Sequence, residues 1–423
     1  MADLYYIIIV NKKGGGYMAT VAVIGAGPAG MMAAIKAAEH NKVILIDKNN
    51  KLGKKLYITG KGRCNVTNAK EISEFFDNIP GNPNFLYSSL YSFTNEDTIS
   101  FIKNLGVGLK VERGDRVFPE SDKSSDIITA FEKEILKRGI SIKLNSHVTD
   151  IECSGNRITS MTLNDGTEIK ADHFILCTGG ISYPLTGSTG EGHVWARKLG
   201  HNVTRLLPSL VPIEVKEEWV KELQGLSLKN VEFKLLDAKN RVIYKDFGEM
   251  LFTHYGLSGP IVLSGSRNVN FHKEMKASIN LKPALSSDEL DKRLQKDFSK
   301  NINKAFKNSL DELLPKKMIP VIIRLSGVEP DKKVNLITKD ERKHLVNLLQ
   351  NLEFRVKGLR PISEAIITAG GIDVKEIDPS TMKSKIISNL SFAGEIIDID
   401  AMTGGYNIQI ALSTGYIAGT NAG

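Results

Sequence analysis

Residues 21–48 read VAVIGAGPAGMMAAIKAAEHNKVILIDK. The stretch opens as an apolar strand, VAVIG, and runs into Gly25-Ala26-Gly27-Pro28-Ala29-Gly30. Small residues then mark a helix, MMAAIKAAEH, and KVILID marks a second strand. In such a strand–turn–helix, Gly25 makes the tight turn, Gly27 lets a pyrophosphate approach the backbone, and Gly30 allows close helix–strand packing. The helix N-terminus offers free N–H groups and a positive dipole end. Asp47 follows Gly30 by 17 residues, where a carboxylate can accept both hydroxyls of an adenosine ribose and disfavours a 2′-phosphate. Strand, glycines, helix, strand and acid in this order predict a dinucleotide-binding βαβ unit.

Immediately downstream lies YITGKGRCNVTN, residues 57–68, with two glycines, two cations, a cysteine and two asparagines. It suits either a redox-active thiol or a backbone cradle for a cofactor. Pyridine-nucleotide disulfide reductases place two thiols a few residues apart after the acid of the first βαβ unit. Cys64 is alone in its loop, and with Cys153 and Cys177 it forms neither a CxxC pair nor a metal-ligand cluster. The cradle is the stronger expectation.

A chain of 423 residues can bury large cores and is expected to form two or three domains. Its composition, 41% hydrophobic and 25% charged, is that of a soluble globular protein. No apolar run approaches the ~20 residues that span a bilayer, and YYIIIV near the start lacks the length and basic flank of a signal sequence. A cytoplasmic location and no membrane partner follow as expectations. The leader NKKGGGYM could be the translation of a purine-rich ribosome-binding sequence, so Met18 is expected to be the true start and residues 1–17 a mis-called or disordered extension. The net charge of +8 comes from 14 arginines and 42 lysines against 48 acids. The excess is scattered lysine, as in DKRLQKDFSKNINKAFKNSL, without the arginine–aromatic clustering of a nucleic-acid site, so no nucleic-acid partner is expected.

Residues 70–140 read as helices interrupted by KVERGDRVFPES. Residues 140–172 read as a β-meander with turns at Ser154-Gly155-Asn156 and Asn164-Asp165-Gly166. ADHFILCTGG is then a buried strand ending in Thr178-Gly179-Gly180. Short strands are expected from Leu206 to about Pro283, lysine-rich helices from Ser286 to about Gly358, and strand, loop and helix at the end. There, SFAGE precedes Asp398 and Asp400, and Gly404-Gly405-Tyr406-Asn407 opens a helix containing Gly415 and Gly419. A helix N-terminus aimed at the flavin N1–C2=O edge would stabilise the charge of reduced flavin, and Asp398 could hold ribityl hydroxyls.

With GAGPAG, ITGKGRCNVTN, DRVFPES, TGGISYPLTGSTGEGH, PSLVPI, GEMLFTHYGLSGP, ITAGGI and AGEIIDIDAMTGGYNIQIALSTG in this order, the chain resembles a bacterial family of FAD-dependent oxidoreductases. That family includes aminoacetone oxidase and a proposed 3-dehydro-bile-acid Δ4,6-reductase. Asp47 stands where glutamate is commoner there. The resemblance implies an α/β fold: a Rossmann-like FAD-binding domain of the two-dinucleotide-binding type, built from residues 18–205 and 359–423. A β-rich domain (206–285) and a helical domain (286–358) would be inserted into it. It implies FAD contacts at Gly25, Gly27, Pro28, Ala29, Gly30, Asp47 and Lys48, and at Val148, Thr178, Gly179 and Gly180. Further contacts are implied at Gly394, Glu395, Asp398, Gly404, Gly405, Tyr406 and Asn407. The GKGRCN loop would lie along the pyrophosphate and ribityl chain, with Gly60 and Gly62 allowing close approach and Cys64 packed. Arg63 and Asn65 would touch the cofactor or brace the loop.

Proton-transfer candidates are Tyr183, His254 and Tyr255, with Arg116 as a candidate for orienting an acidic substrate. A second strand-GxGxxG-helix unit is not found, so NAD(P)H, if it is the electron donor, docks without a Rossmann subdomain. Three activities remain open for a small-molecule enzyme of monomeric or homodimeric form. The first is an NAD(P)H-dependent reductase of an activated C=C, such as an enone of the 3-oxo-steroid or bile-acid type. The others are an amine or aminoketone oxidase using O2, and an RNA-modifying flavoprotein.

Overall fold

A computed structural model of the protein describes residues 18–300 and 302–423; the expectation about residues 1–17 lies outside the described residues. Five short parallel strands form the central sheet, in the order Leu390–Phe392, His173–Leu176, Thr20–Ile24, Lys42–Ile46, Ser141–Lys143. Val23 pairs with Ile175 on one side and Leu45 on the other. Every residue of His173–Leu176 and Leu390–Phe392 is buried, so these strands are mainly apolar rather than alternating, and their two polar residues, His173 and Ser391, hydrogen-bond each other at 2.8 Å. The sheet's centre is the fingerprint strand, and its edge comes from the far end of the chain.

The fingerprint helix, Pro28–Ala37, packs against the C-terminal helix, Tyr406–Thr420. A β-carbon on Gly415 would collide with the Ala29 carbonyl oxygen, and one on Gly419 with that of Ala33. The backbones therefore touch, and the matched pairs show that the helices run parallel. Tyr406 lies eight residues further from this contact than Pro28 does, so the two N-termini are offset by about 12 Å along the shared direction.

The expected meander is present: Val148–Ser154, Arg157–Leu163 and Glu168–Ile169 pair antiparallel. The excursion before it holds helices Tyr87–Ser92, Asn95–Asn104 and Ser124–Lys137. Its KVERGDRVFP interruption is a hairpin, Leu109–Glu112 with Arg116–Pro119, which also pairs with Thr67–Asn68 of the cradle segment.

The inserted region is a closed six-stranded barrel in the order Ile213–Val215, Gly256–Ser258, Val242–Phe252, Ser227–Leu236, Lys276–Asn280, Leu352–Leu359. The last of these strands lies at the end of the stretch that reads as lysine-rich helix. Helices Ser287–Ser299, Ile319–Ser326 and Lys339–Gln350 cover the barrel, and one apolar cluster from Ile213 to Phe354 includes residues of both barrel and helices. A second cluster unites Val21 through Leu199 with Ile372 through Ala422. The chain leaves and re-enters the nucleotide-binding unit along a two-stranded ribbon, Leu207–Ser209 with Ile367–Ala369. Buried Asp400 pins this junction, accepting from Arg267 Nε at 2.8 Å and Ser209 Oγ at 2.9 Å. Among the described residues no helix is long and apolar enough to cross a membrane.

Because Gly415 meets backbone rather than a movable side chain, Gly415→Val is expected to cost about 1–3 kcal/mol and to lower the melting temperature measurably. An unchanged melting curve would show that the two helices separate without penalty.

Candidate functional site

The glycine turn is built as the spacing predicts. Gly25 takes a left-handed φ of +99°, and its amide donates to Ile46 O at 2.8 Å. A β-carbon on Gly30 would strike the Gly25 carbonyl oxygen, whereas one on Gly27 would meet nothing within 4 Å. Protein packing explains the first glycine of that pair and leaves open space above the second. Asp47 is half-buried beside the turn; its carboxylate accepts from Ala26 N at 2.6 Å, from Asn49 N at 2.7 Å and from Asn49 Nδ2 at 2.9 Å. It thus ties the turn to the end of the second strand. Lys48 is engaged by Glu191 at 2.7 Å and by Thr189.

The GKGRCN loop is held in a succession of left-handed residues: Gly60 (φ +57°), Lys61 (+60°), Gly62 (+85°) and Cys64 (+60°). Arg63 braces it from outside. Its guanidinium sits 4.2 Å from the Phe118 ring centroid, donates to Asp122 at 2.7 Å and pairs with Glu112. Cys64 is fully buried, and burial pushes its thiol up to about 12, so it is not a thiolate near neutral pH. Cys177 is raised further by the same cause. Asn65 Oδ1 and Thr178 Oγ1 are buried side-chain oxygens without a protein partner, although such groups are nearly always satisfied.

At the other end of the site, Gly405 (φ +102°) caps the C-terminal helix. Neither this helix nor the fingerprint helix has a side-chain N-cap or an acidic residue in its first turn. Both therefore present uncancelled positive ends. Asn407 is spent on its own loop, donating to Ala401 O at 2.8 Å and accepting from Ala401 N at 3.0 Å. Tyr406 is buried edge-on against Phe75, and burial, ahead of the charges of Asp115 and Glu74, raises its phenol to about 12. Burial also raises the Asp398 carboxyl, with Asp400 adding to the effect.

The FAD fit follows from these features: open space at Gly27, two unpartnered oxygens, a carboxylate at the second strand, and two uncapped helix ends offset by about 12 Å along their shared direction. Such an offset suits a cofactor whose pyrophosphate and electron-accepting ring are held apart by a polyol chain. One part of the site was not foreseen. Glu395 accepts from Lys55 Nζ at 2.8 Å, Ser182 Oγ at 3.0 Å and Thr368 N at 2.8 Å. Lys55 and Ser182 are themselves 2.7 Å apart. This network joins the segment before the cradle loop, the Thr-Gly-Gly strand end, the ribbon and the AGE strand end. Lys55 in the run KLGKKL had no local signature separating it from a solvated lysine.

Of the proton-transfer candidates, Tyr183 and Tyr255 come together at the junction of the two units. Burial first, then Glu364 and Tyr255, hold the Tyr183 phenol above the ordinary tyrosine range. The Arg360 guanidinium lies 4.7 Å from the Tyr255 ring centroid and is fixed by Glu364 at 2.6 and 3.0 Å and Glu214 at 2.8 Å. His254 is exposed and meets Tyr255 edge-on, centroids 4.7 Å apart. Val148 is buried at the start of the meander, away from that junction group, in the neighbourhood of Lys48 through the His147–Glu191 contact at 3.3 Å.

The chain is 29% identical to the 3-dehydro-bile acid Δ(4,6)-reductase of Clostridium scindens over 96% of this chain and 99% of that one. It is 32% identical to the ribosomal RNA dihydrouridine synthase of Haemophilus influenzae over 93% and 96% of the respective chains. Among solved structures, the 3-ketosteroid Δ4-(5α)-dehydrogenase of Rhodococcus jostii RHA1 superposes with a TM-score of 0.49 at 13% identity, covering 97% of each chain. The HI0933-like protein Rossmann domain matches residues 19–421. The protein therefore belongs to the HI0933-like Rossmann family, FAD-dependent oxidoreductases by the motifs set out above.

Proposed function

We propose that this protein reduces a C=C bond conjugated to a carbonyl, with NAD(P)H as electron donor and a small enone, of the 3-oxo-steroid or bile-acid kind, as substrate. FAD, when bound, supplies the two-electron chemistry. The observation that carries the proposal is the pair of phenols, Tyr183 and Tyr255, at the junction of the nucleotide-binding unit and the barrel. Saturating a conjugated C=C requires a proton at the carbon next to the carbonyl, and a phenol that stays protonated at neutral pH is a competent source. Tyr255 is the donor in this assignment, steadied from one side by Arg360 and touched from the other by His254. Exposed to solvent, His254 returns the proton.

Asp47 would hold the adenosine ribose, the fingerprint helix and Gly27 the pyrophosphate, and Asn65 and Thr178 would give their unpartnered oxygens to cofactor hydroxyls. Glu395, paired with Lys55, and Asp398 would face the ribityl chain, with the Gly404–Asn407 turn at the flavin's edge. The relatives' names support the reaction class. A Δ(4,6)-reductase and a dihydrouridine synthase both saturate a C=C conjugated to a carbonyl, in one case on a steroid and in the other on a uracil ring. The second name, on a relative 32% identical, favours one other reading: uridine in ribosomal RNA as substrate.

The test is anaerobic. The flavin band should bleach on mixing with NADH or NADPH and return on adding either a steroid enone or uridine-containing ribosomal RNA, which separates the two substrates. A band that bleaches only with an amine or aminoketone, with peroxide formed on admitting air, would replace the proposal by the oxidase alternative. Tyr255→Phe should slow flavin reoxidation by the substrate by about 10²-fold or more while leaving bleaching by NAD(P)H intact; equal rates would remove Tyr255 from the reaction. Asp47→Ala unties the glycine turn as well as the ribose. Since hydrogen bonds to a charged group contribute about 1.5–3 kcal/mol, FAD affinity should fall by about 10- to 100-fold. Full cofactor retention in dialysed protein would contradict the assignment.

A further inference from the structure

We propose that the tip of the Leu109–Glu112/Arg116–Pro119 hairpin is an oxyanion-binding handle, in which Arg113 and Arg116 hold a negatively charged group of the substrate remote from the bond that is reduced. The proposal rests on the reductase reading and deepens it by giving the substrate a charge.

Position is the first argument. Asn68 Nδ2 donates both to Gly114 O at the hairpin tip, at 3.0 Å, and to Gly404 O in the turn that opens the C-terminal helix, at 3.1 Å. The tip is therefore tied to the flavin end of the site. Arg113 Nη2 reaches across to Asn230 Oδ1, at 3.0 Å, on the barrel strand Ser227–Leu236. Arg116 lies 5.9 Å from the Phe118 ring centroid, the same ring on which Arg63 of the cradle loop rests. The two arginines thus stand where the cradle loop, the Gly404–Gly405 turn and the barrel meet.

Charge is the second. Elsewhere the cations on or against this hairpin are matched: Lys110 meets Asp122 at 2.7 Å, and Arg63 of the cradle loop meets Glu112 and Asp122. At the tip the contacts are neutral, Arg113 with the Asn230 amide and Arg116 Nε with the Arg113 carbonyl at 2.9 Å. Among the described residues no ion pair involves either guanidinium. Asp115, between them in sequence, acts together with Glu74 on Tyr406. Arg113 is exposed and Arg116 half-buried, so both donor forks can be reached from solvent. A planar guanidinium binds carboxylate or phosphate through two parallel hydrogen bonds. The oxyanion has two sources compatible with the reaction: the carboxylate of an enone acid, or a phosphodiester flanking a uridine.

Holoenzyme is titrated while the flavin band is followed, with a steroid enone acid against its methyl ester, and with a short uridine oligoribonucleotide against its uncharged methylphosphonate form. In the wild type, the charged member of one pair should bind about tenfold or more tightly than its neutral counterpart. That preference should vanish in R113Q/R116Q, persist in R113K/R116K, and persist in N230G, which removes the brace but no charge. The pair showing the preference names the source, and for RNA the salt dependence of binding should weaken in R113Q/R116Q. Equal binding of charged and neutral members in the wild type, or a preference that survives R113Q/R116Q, overturns the handle; reduction of the neutral members would then leave the reductase reading standing. If no member perturbs or reoxidises the flavin, the reductase reading fails and the handle with it.

Discussion

The structure depends on one contact: the fingerprint helix and the C-terminal helix touch backbone to backbone, Ala29 on Gly415 and Ala33 on Gly419. Any larger residue at those two positions would push the helices apart. Because they run parallel and out of step, one contact places two positive helix ends at two points along a line. Each end is left without a side-chain cap. Had either helix carried an acidic first turn, as Asn95–Asn104 does with Glu96 and Asp97, its field would already be neutralised by its own sequence. The site is thus defined as much by the side chains missing from the helix ends as by those present.

The barrel stands on this scaffold through a narrow neck. The ribbon Leu207–Ser209/Ile367–Ala369 carries the chain across, and the pair of half-buried Arg267 and buried Asp400 crosses beside it. Removing one partner of such a pair leaves a buried charge, which costs far more than the pair contributes. It therefore fixes orientation better than it adds stability. The same neck carries Thr368, whose backbone amide donates to Glu395 and whose hydroxyl accepts from the amides of Ile181 and Ser182. Residues that we assign to the cofactor and the domain connection share hydrogen bonds, so a shift of the barrel would be felt at the strand ends.

What the sequence displayed and what it hid follow a physical division. The glycine turn, the meander and the TGGYN helix start are local: each is specified by residues within a few positions of one another, where backbone geometry selects the residue type directly. The Lys55–Ser182–Glu395 network is assembled from residues 127 and 340 positions apart, and no spacing rule reports such an encounter. The barrel's closing strand, LEFRVKGL, did carry a legible period, with Leu352 and Phe354 buried between exposed Glu353 and Arg355. It was masked by the lysine-rich helix that runs into it. Arg63 suited both a cofactor contact and a brace; only its carboxylate partners on a distant hairpin place it as a brace.

The order of segments along the chain also has a consequence for synthesis. The barrel and its helices are contiguous, Ile213 to Phe354, and can complete their core while the ribosome is still working. The nucleotide-binding unit cannot: its edge strand Leu390–Phe392 and the helix that seats on Ala29 and Ala33 are made only after the barrel and its helices. Domains tend to consolidate as they emerge, so here the middle of the protein matures before its beginning. A nascent chain displays the glycine turn long before anything exists to hold the far end of a dinucleotide, and cofactor capture has to wait until the whole barrel has been made.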